Sequence, residues 1–171
     1  MEKKQTCLVT ERLVLKPFSE DHRQQMLDLL FDKRIKETYM LPDFETREQA
    51  APLFERLMAF SNSDDHFLYG VFFGAAVVGF INDCEKTDSV MELGYVIAPE
   101  HQNKGYATEA VRACIQELFR MGYQQVKAGY FAGNTPSCRV MEKCGMRKLD
   151  FEEDIEYKGV LRHCFYYAID R

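Results

Sequence analysis

The sequence lacks the long apolar runs that a membrane-spanning helix needs, since no stretch approaches about 20 consecutive apolar residues. Its first residues, 1–6, also lack the apolar segment of a secretory signal peptide. These absences argue against a membrane protein and against export. We therefore expect no membrane partner and a cytoplasmic location.

The paired spacings typical of metal ligands are missing as well. The six cysteines form no CxxC motif and the four histidines form no HxxxH pair, so a zinc site is not expected. In a cytoplasmic protein, scattered cysteines behave mostly as small apolar side chains in the reduced state. We predict free thiols and no metal.

A basic excess is absent too, because 27 acidic residues outnumber 22 basic ones and give a formal net charge of −5. Nucleic-acid binding depends on a basic face, so no nucleic-acid partner is expected. The sequence also contains no GxSxG elbow, no GxxxxGK[ST] phosphate loop and no GxGxxG fingerprint. Their absence weakens assignment as a hydrolase, kinase or dehydrogenase.

What is present is the composition of an ordinary globular domain, with 46% apolar and 29% charged residues in a chain of 171. A chain of this length can bury roughly two thirds of its unfolded surface in one core. No repeat, linker or low-complexity segment divides it. We predict one domain that spans residues 1–171.

Hydrophobic periodicity predicts both strands and helices in the N-terminal third. A strand over 10–16 precedes a helix over about 19–31, which Ser19 caps. The side chains at 46–49 have the spacing of a capping box. Because Pro52 removes an amide just past the first turn, this second helix starts late or kinks.

The rest of the chain is richer in predicted strands. Two β-rich runs, 67–73 and 77–81, form a hairpin, and a polar turn over 82–89 follows. The remaining predicted elements are a strand over 91–97, a helix from Ala107 that ends at Gly122, a strand over 126–130, a short helix over 136–143, and a final hairpin of 151–157 with 160–169.

This order predicts a mixed α+β domain with a central, largely antiparallel twisted sheet that helices flank. The strands at 91–97 and 126–130 are joined by a helix, so we expect them to be parallel neighbours. Parallel strands that splay leave a crevice at their carboxyl ends, where ligands commonly bind. The splayed pair is the predicted ligand site.

The run Gln102-Asn103-Lys104-Gly105-Tyr106-Ala107 lies between the first of these strands and the following helix. Amides at a helix start have no partner inside the helix and carry the positive end of its dipole, so they can bind a phosphate. Glycine at 105 allows a tight turn and a close approach to the ligand. The run is typical of an anion-binding turn.

This turn resembles the Q/R-x-x-G-x-G/A loop of the GNAT N-acetyltransferase superfamily, with Ala107 where many members have glycine. The segments Asn134-Thr135-Pro136-Ser137 and Met141-Glu142-Lys143-Cys144-Gly145-Met146 are similar to the N-x-x-S-x-x-x-x-x-K-x-G-F motif of its RimJ/RimL-like branch, the ribosomal-protein-alanine acetyltransferases. Met146 replaces the usual phenylalanine. The opening T-E-R-L-V-L and the order of elements also match this branch, so the resemblance covers nearly the whole chain.

The resemblance implies acetyl-CoA as the cosubstrate, bound in the crevice of a GNAT-like fold. Backbone groups of Val96 and Ile97 would bind its pantetheine arm as if it were an added strand, and Asn134 would bind the same arm or order the turn before its helix. The resemblance assigns the pyrophosphate to the backbone amides of Gln102, Asn103, Lys104, Gly105, Tyr106 and Ala107.

Glu92 is the candidate base. A primary amine is mostly protonated at neutral pH and must lose a proton before it attacks a thioester, and members of the family often have a glutamate at this strand position. Alternation places Glu92 on the same strand face as Gly94 and Val96. The alternatives are a structural ion pair or a carboxylate that only attracts the cationic acceptor.

Ser137 is the candidate hydrogen-bond or proton donor to the departing coenzyme A thiolate, as the matching serine of the branch is proposed to be. Its alternative role is a bond to the backbone in the first turn of its helix. The resemblance also implies a carbonyl polarised by backbone at a bulge near Val96. Cys138 has no histidine partner in sequence, so a covalent cysteine mechanism is not expected.

The predicted function is transfer of an acetyl group from acetyl-CoA to a primary amine, with a protein N-terminal amine as the acceptor and a homodimer as the form frequent in the branch. Two alternatives stay open: acetylation of a small amine such as a polyamine, amino acid or antibiotic, and an acyl-CoA sensor without turnover. The family places the acceptor mouth in the region 31–65. There, most of the aromatic side chains are expected in the core and one or two in the pocket, from among Tyr39, Phe44, Phe54 and Phe60.

Overall fold

A computed structural model describes residues 2–171. Its strands are β1 (Leu8–Val9), β2 (Val14–Lys16), β3 (Leu68–Phe73), β4 (Ala76–Lys86), β5 (Val90–Ile97), β6 (Gln125–Phe131), β7 (Arg147–Tyr157) and β8 (Val160–Asp170). Its α-helices are α1 (Arg23–Phe31), α2 (Lys33–Lys36), α3 (Ala51–Ser61), α4 (Tyr106–Met121) and α5 (Thr135–Lys143).

The strands form one eight-stranded sheet in the order β1-β2-β3-β4-β5-β6-β8-β7. Every neighbouring pair is antiparallel except β5 and β6, which are parallel. The long helix α4 connects these two strands, as the rule for parallel crossovers requires. The predicted mixed α+β class with one parallel pair is confirmed.

Apolar side chains bury both faces of the central strands of the sheet. One face packs against α4, whose stripe of buried side chains repeats at helical spacing, and against Met141 of α5. The other face packs against α1 and α3. The residues of the α4 stripe are Ala110, Val111, Cys114, Ile115 and Leu118. The sheet therefore has a helical layer on each side and its strand ends stay open.

Two N-terminal predictions need adjustment. Of the strand predicted over 10–16, only 14–16 is a strand, β2, and residues 10–13 form the turn that joins it to β1. A 3₁₀ turn, Arg47–Ala50, precedes α3, and Pro52 lies in the first turn of α3, so the late start is confirmed. The Gln49 side chain accepts a hydrogen bond from the Glu45 amide at 2.8 Å instead of closing a capping box.

Two strands extend further than polarity suggests. The polar turn predicted over 82–89 is wrong up to Lys86, because β4 continues that far and pairs with β5. Likewise β7 begins at Arg147, where it pairs with β8, and not at Phe151. Backbone pairing to a neighbour stabilises these segments whatever their side chains, which a periodicity argument cannot detect. The helix α2 was not predicted.

The parallel pair splays, as predicted. Its pairing runs from Val90 opposite Gln125 to Glu92 opposite Lys127 and stops there, although β5 continues to Ile97. Beyond this point the two strands separate and a crevice opens between them. The crevice is the feature of the fold that positions the site described next.

Candidate active site

The crevice widens into a cavity of about 920 Å³. This volume is within the range of pockets that bind small molecules and cofactors. Lys104 is the one predicted site residue that does not line the cavity. The predicted site residues that line it are Glu92, Val96, Ile97, Gln102, Asn103, Gly105, Tyr106, Ala107, Asn134 and Ser137.

The turn between β5 and α4 has the backbone shape of an anion site. Asn103 and Gly105 both adopt left-handed conformations, with φ of 59° and 81°. Such alternation of backbone hand turns successive amides toward a common point. Gly105 is the N-cap of α4 and no side chain caps it, so the first amides of the helix have no partner within it. The turn can accept a phosphate through its backbone.

Polar side chains hold this turn in place. The Lys104 ammonium donates to the Glu100 carbonyl at 2.9 Å. Gln102 donates through Nε2 to the Ile97 carbonyl, also at 2.9 Å. The side chain of Lys104 therefore stabilises the turn, and only its backbone is available for the predicted contact with the pyrophosphate.

Arg12, which was not predicted as a site residue, anchors the turn. Its guanidinium donates to the Lys104 carbonyl at 2.9 Å and lies 4.9 Å from the centre of the Tyr106 ring. Glu109, in the first turn of α4, accepts hydrogen bonds from the Arg12 backbone amide at 2.8 Å and from its Nε at 2.7 Å. The turn is thus tied to the start of the sheet.

The same network keeps Glu109 charged. The Thr10 hydroxyl donates to Glu109 at 2.6 Å, in addition to the two bonds from Arg12. Partial burial opposes ionisation, but the hydrogen bonds outweigh it and hold the pKa of Glu109 below its ordinary value. Only the tertiary structure reveals this group, since Arg12 and Glu109 are 97 residues apart.

The backbone of β5 near Val96 does not have the expected bulge. Pairing with β4 is continuous from Gly79 opposite Ile97 to Asp83 opposite Leu93, and the register shift lies further on, at Cys84. The expected bulge at Val96 is therefore wrong. The Val96 carbonyl oxygen packs against Gly79, where an added Cβ would lie 1.9 Å away. This carbonyl faces β4, so the predicted pantetheine contact needs other backbone groups.

Glu92 forms an ion pair with Lys127 on the neighbouring strand, with 2.9 Å between its carboxylate and the ammonium. Met91 and Leu93 are buried in the core beside α4, which leaves Glu92 and Gly94 on the other face, as alternation predicts. Burial lowers the pKa of Lys127, but the hydrogen bonds and charges of Glu92 and Glu85 together outweigh it and raise that pKa overall. The ion pair considered from the sequence is present, and its Glu92 member lies on the cavity wall.

The cavity beyond Glu92 has a thiol and aromatic walls. Gly94 makes room for Cys84, whose sulfur would lie 2.8 Å from an added Cβ. Desolvation by the surrounding protein groups and the nearby charge of Glu92 raise the pKa of Cys84 to about 12, so the thiol is protonated and a poor nucleophile at neutral pH. Tyr39 and Tyr166 also line this end. Of the predicted aromatic group, Tyr39 is in the pocket and Phe54 is fully buried core.

Ser137 and Asn134 lie at the start of α5. Asn134 is the N-cap, and its side-chain oxygen accepts from the Ser137 amide at 3.4 Å, so one of its two predicted roles, ordering this turn, is present. The Ser137 hydroxyl is 2.7 Å from the hydroxyl of Tyr95 on β5. Tyr95 was not predicted as a site residue, because its partner is 42 residues away in sequence.

Within residues 2–171, no helix combines the length and the apolar character needed to cross a bilayer. Over the same residues, no group of three or more His, Cys, Asp or Glu side chains is arranged to hold a metal ion.

A parallel pair that splays, followed at a helix start by a turn with the backbone shape of an anion site, defines an α+β domain with a crevice at the carboxyl ends of its parallel strands. The sequence profile of the Acetyltransferase (GNAT) domain matches residues 12–147, so the chain belongs to this family. Family membership supports an acetyltransferase, and dependence on acetyl-CoA follows from the family.

Two relatives from Bacillus subtilis (strain 168) have similar sequences. The uncharacterised N-acetyltransferase YnaD is 42% identical over 69 residues, which are 40% of this chain and 41% of that protein. The uncharacterised N-acetyltransferase YoaA is 25% identical over 167 residues, which are 93% of this chain and 88% of that protein. Similarity to YoaA therefore extends over nearly the whole chain.

Solved structures with the same fold include a GNAT-family acetyltransferase from Bacillus anthracis, with a TM-score of 0.83, 26% identity and coverage of 96% of this chain and 98% of that one. The microcin C7 self-immunity acetyltransferase MccE, in complex with acetyl-CoA and AMP, has a TM-score of 0.81, 15% identity and coverage of 94% and 93%. A proposed ribosomal-protein-serine acetyltransferase from Vibrio cholerae has a TM-score of 0.82, 19% identity and coverage of 99% and 100%. The last two show the fold alone.

Proposed function

We propose that this protein transfers the acetyl group of acetyl-CoA to a primary amine by direct attack, and that the acceptor is the N-terminal amine of a protein. The observation that carries the proposal is that one cavity brings together the turn at Gly105, the carboxylate of Glu92 and the hydroxyl of Ser137. These come from three separate segments of the sequence. Each has the chemistry that one step of the transfer requires.

Acetyl-CoA supplies the thioester that the amine attacks. The left-handed turn and the uncapped start of α4 support binding of its pyrophosphate by backbone amides of Gln102 to Ala107. Its pantetheine arm would lie along the edge of β5 that has no β6 partner beyond Glu92. Of the predicted pair Val96 and Ile97, the backbone of Ile97 would meet the arm there, because the Val96 carbonyl faces β4. The Asn134 side-chain amide, whose oxygen already caps α5, would donate to the same arm.

Glu92 receives the proton of the acceptor amine in this proposal. Its carboxylate lies on the cavity wall with 15% of its side chain exposed, so an incoming ammonium can reach it directly or through water. Lys127 occupies one side of the carboxylate at 2.9 Å. The acceptor would bind on the open side, and Lys127 would fix the carboxylate in place.

Ser137 donates a hydrogen bond to the departing sulfur. Its hydroxyl lies at the start of α5 and lines the cavity, so a donor is available where the parallel strands have separated. A thiolate that accepts a hydrogen bond in a site shielded from water is a better leaving group. The neighbouring Cys138 contacts the Tyr167 hydroxyl at 3.4 Å and takes no part.

The choice of a protein N-terminus as the acceptor rests on the N-x-x-S segment at Asn134, which resembles the RimJ/RimL-like branch. The fold does not make this choice, because MccE and the Vibrio cholerae protein share it with similar TM-scores and carry different names. A small amine is the alternative acceptor. Nothing in the comparisons supports a sensor without turnover. The cytoplasmic location and the homodimer stay predictions.

A panel of amines separates these possibilities. The protein is incubated with acetyl-CoA and, in turn, with peptides that begin with Ala or Ser, the same peptides blocked at the N-terminus but containing lysine, spermidine, free amino acids and an aminoglycoside. Released thiol is quantified and products are identified by mass spectrometry. We expect acetylation of the free peptide N-termini, and loss of most turnover in Ser137→Ala.

Each other outcome contradicts a defined part of the proposal. Acetylation confined to spermidine, amino acids or the aminoglycoside would reject the protein N-terminus as the acceptor. Binding of acetyl-CoA without turnover on any amine would reject the enzyme. Absence of acetyl-CoA binding, measured by calorimetry, would reject the cosubstrate.

A further inference from the structure

The hydroxyl of Tyr95 contacts Ser137 across the crevice. Its oxygen lies 2.7 Å from Ser137 Oγ and 3.0 Å from the Ser137 carbonyl oxygen. Tyr95 lies three residues beyond Glu92, the last residue of β5 that pairs with β6, whereas Ser137 belongs to the first turn of α5. The contact therefore joins the two sides of the site after backbone pairing has ended.

The direction of the hydrogen bonds decides what Ser137 can do. Tyr95 has one hydroxyl proton and two acceptors within reach. If it donates to the Ser137 carbonyl, its own oxygen accepts the Ser137 proton and Ser137 has none left for the cavity. If it donates to Ser137 Oγ, the Ser137 proton can point into the cavity. A distance of 2.7 Å is ordinary for an O–H···O bond, and two hydroxyls donating in the same direction strengthen each other.

Tyr95 keeps its own proton in this arrangement. Burial raises the pKa of Tyr95 and outweighs the opposing effect of the bond to Ser137. The other titratable groups that act on it are the thiols of Cys138 and Cys144. Tyr95 is thus a fixed donor, and it does not supply a proton to the reaction.

We propose that Tyr95 is a positioning residue: its hydroxyl donates to Ser137 Oγ and so directs the Ser137 proton to the sulfur of the cosubstrate. The inference rests on the proposed role of Ser137. As the bond between the acetyl carbon and the amine nitrogen forms, the carbon–sulfur bond breaks and its electron pair stays on sulfur. The amine proton goes to Glu92, and the Ser137 hydrogen bond stabilises the thiolate.

The test follows the thiol of bound coenzyme A and does not require a known acceptor. Coenzyme A labelled with ¹³C at the carbon bonded to sulfur reports ionisation of the thiol through its chemical shift, free of signals from the six cysteines. The label is titrated with pH in complexes of the parent, Tyr95→Phe, Ser137→Ala and the double variant. Calorimetry and thermal melting of each variant check affinity and folding.

We expect Ser137→Ala to raise the pH of thiol ionisation by about one unit, since a hydrogen bond to a charged acceptor is lost. Tyr95→Phe should move it in the same direction by a comparable amount, with little change in coenzyme A affinity. The double variant should match Ser137→Ala within about 0.3 pH unit, because Tyr95 acts only through Ser137.

Tyr167→Phe is the matched control. It removes a hydroxyl that contacts the next residue of the same helix, Cys138, at 3.4 Å. If Tyr95 served only to anchor α5, both phenylalanine variants would shift the titration alike. We expect the control to titrate like the parent.

Two results would overturn the inference while leaving the proposed function intact. One is a Tyr95→Phe complex that titrates like the parent, and the other is a double variant whose shift equals the sum of the two single-variant shifts. A parent protein that binds no coenzyme A would contradict the proposed function itself. If Tyr95→Phe does not fold, 3-fluorotyrosine at position 95 replaces it. As a stronger donor it should lower the pH of thiol ionisation, and an unchanged titration would refute the inference.

Discussion

Replacing Glu109 with glutamine should loosen the anchor of the turn at Gly105 and destabilise the protein. The carboxylate accepts from the Thr10 hydroxyl at 2.6 Å and from the Arg12 amide and Nε at 2.8 and 2.7 Å. The substitution conserves shape, but it removes the negative charge. It also places the glutamine NH₂ group, which is a donor, opposite groups that are themselves donors. Its carbonyl oxygen can still satisfy part of the network.

The magnitude follows from these contacts. A hydrogen bond to a charged group contributes about 1.5–3 kcal/mol, and three are affected. The Arg12 side chain is 41% exposed, so solvent screens its share, and the glutamine oxygen still accepts one bond. We therefore expect a loss of about 2 kcal/mol. In a domain of this size that corresponds to a fall in Tm of about 4–8 °C.

Thermal melting followed by circular dichroism at neutral pH measures this loss. Glu11→Gln is the matched control, because Glu11 lies between the two residues that donate to Glu109, is exposed, and makes no side-chain hydrogen bond or ion pair among the contacts of residues 2–171. The pKa of folded Glu109 is below its ordinary value of 4.5. Its contribution is thus fully present above about pH 4.5 and is lost as pH falls through the folded pKa.

Two results would refute the reasoning. One is a Glu109→Gln variant that melts within about 1 °C of Glu11→Gln at neutral pH, which is well below the shift expected from 2 kcal/mol. The other is a difference in Tm between the parent and Glu109→Gln that stays constant as the solution is acidified. Either would mean that the charged network at the turn contributes nothing to stability.

Three further predictions concern the site and its surroundings. Glu92→Gln should lower the acetylation rate mainly at neutral pH and recover in part as pH rises and more amine is neutral; an equal rate at every pH would remove Glu92 from the mechanism. Coenzyme A should raise the Tm of the parent, and Gly105→Glu should abolish that shift. Gly133→Glu is the control and should retain the shift, because Gly133 is another left-handed glycine but does not line the cavity. A retained shift in Gly105→Glu would contradict the phosphate site. Hydrogen bonds to two β7 carboxylates raise the pKa of His163, so its contribution to stability is fully present below about pH 6.5 and is lost as pH rises through the folded pKa. His163→Gln should therefore reduce the Tm more at pH 5.5 than at pH 9. An equal reduction at both pH values would refute the pairing.

Much of the fold was predictable because its signals are local. The helix that ends at Gly122 follows from apolar spacing and a left-handed glycine, and the structure has both. The splayed pair followed from the order strand, helix, strand. Strand boundaries were less predictable: β4 runs to Lys86 because its backbone pairs with β5, and polarity alone suggested a turn. Pairing partners are remote in sequence and leave no periodic trace.

The candidate site divides in the same way. Sequence alone placed the turn at Gly105, the strand face of Glu92 and the helix start at Ser137, because conformation there depends on neighbours a few residues away. Only the tertiary structure decided what these groups touch. Strand register brings Lys127 to Glu92, and chain folding brings Tyr95 to Ser137 across the open end of the parallel pair. A side chain's partners depend on three-dimensional packing, so the sequence determined the kind of chemistry and the fold decided how its groups are held.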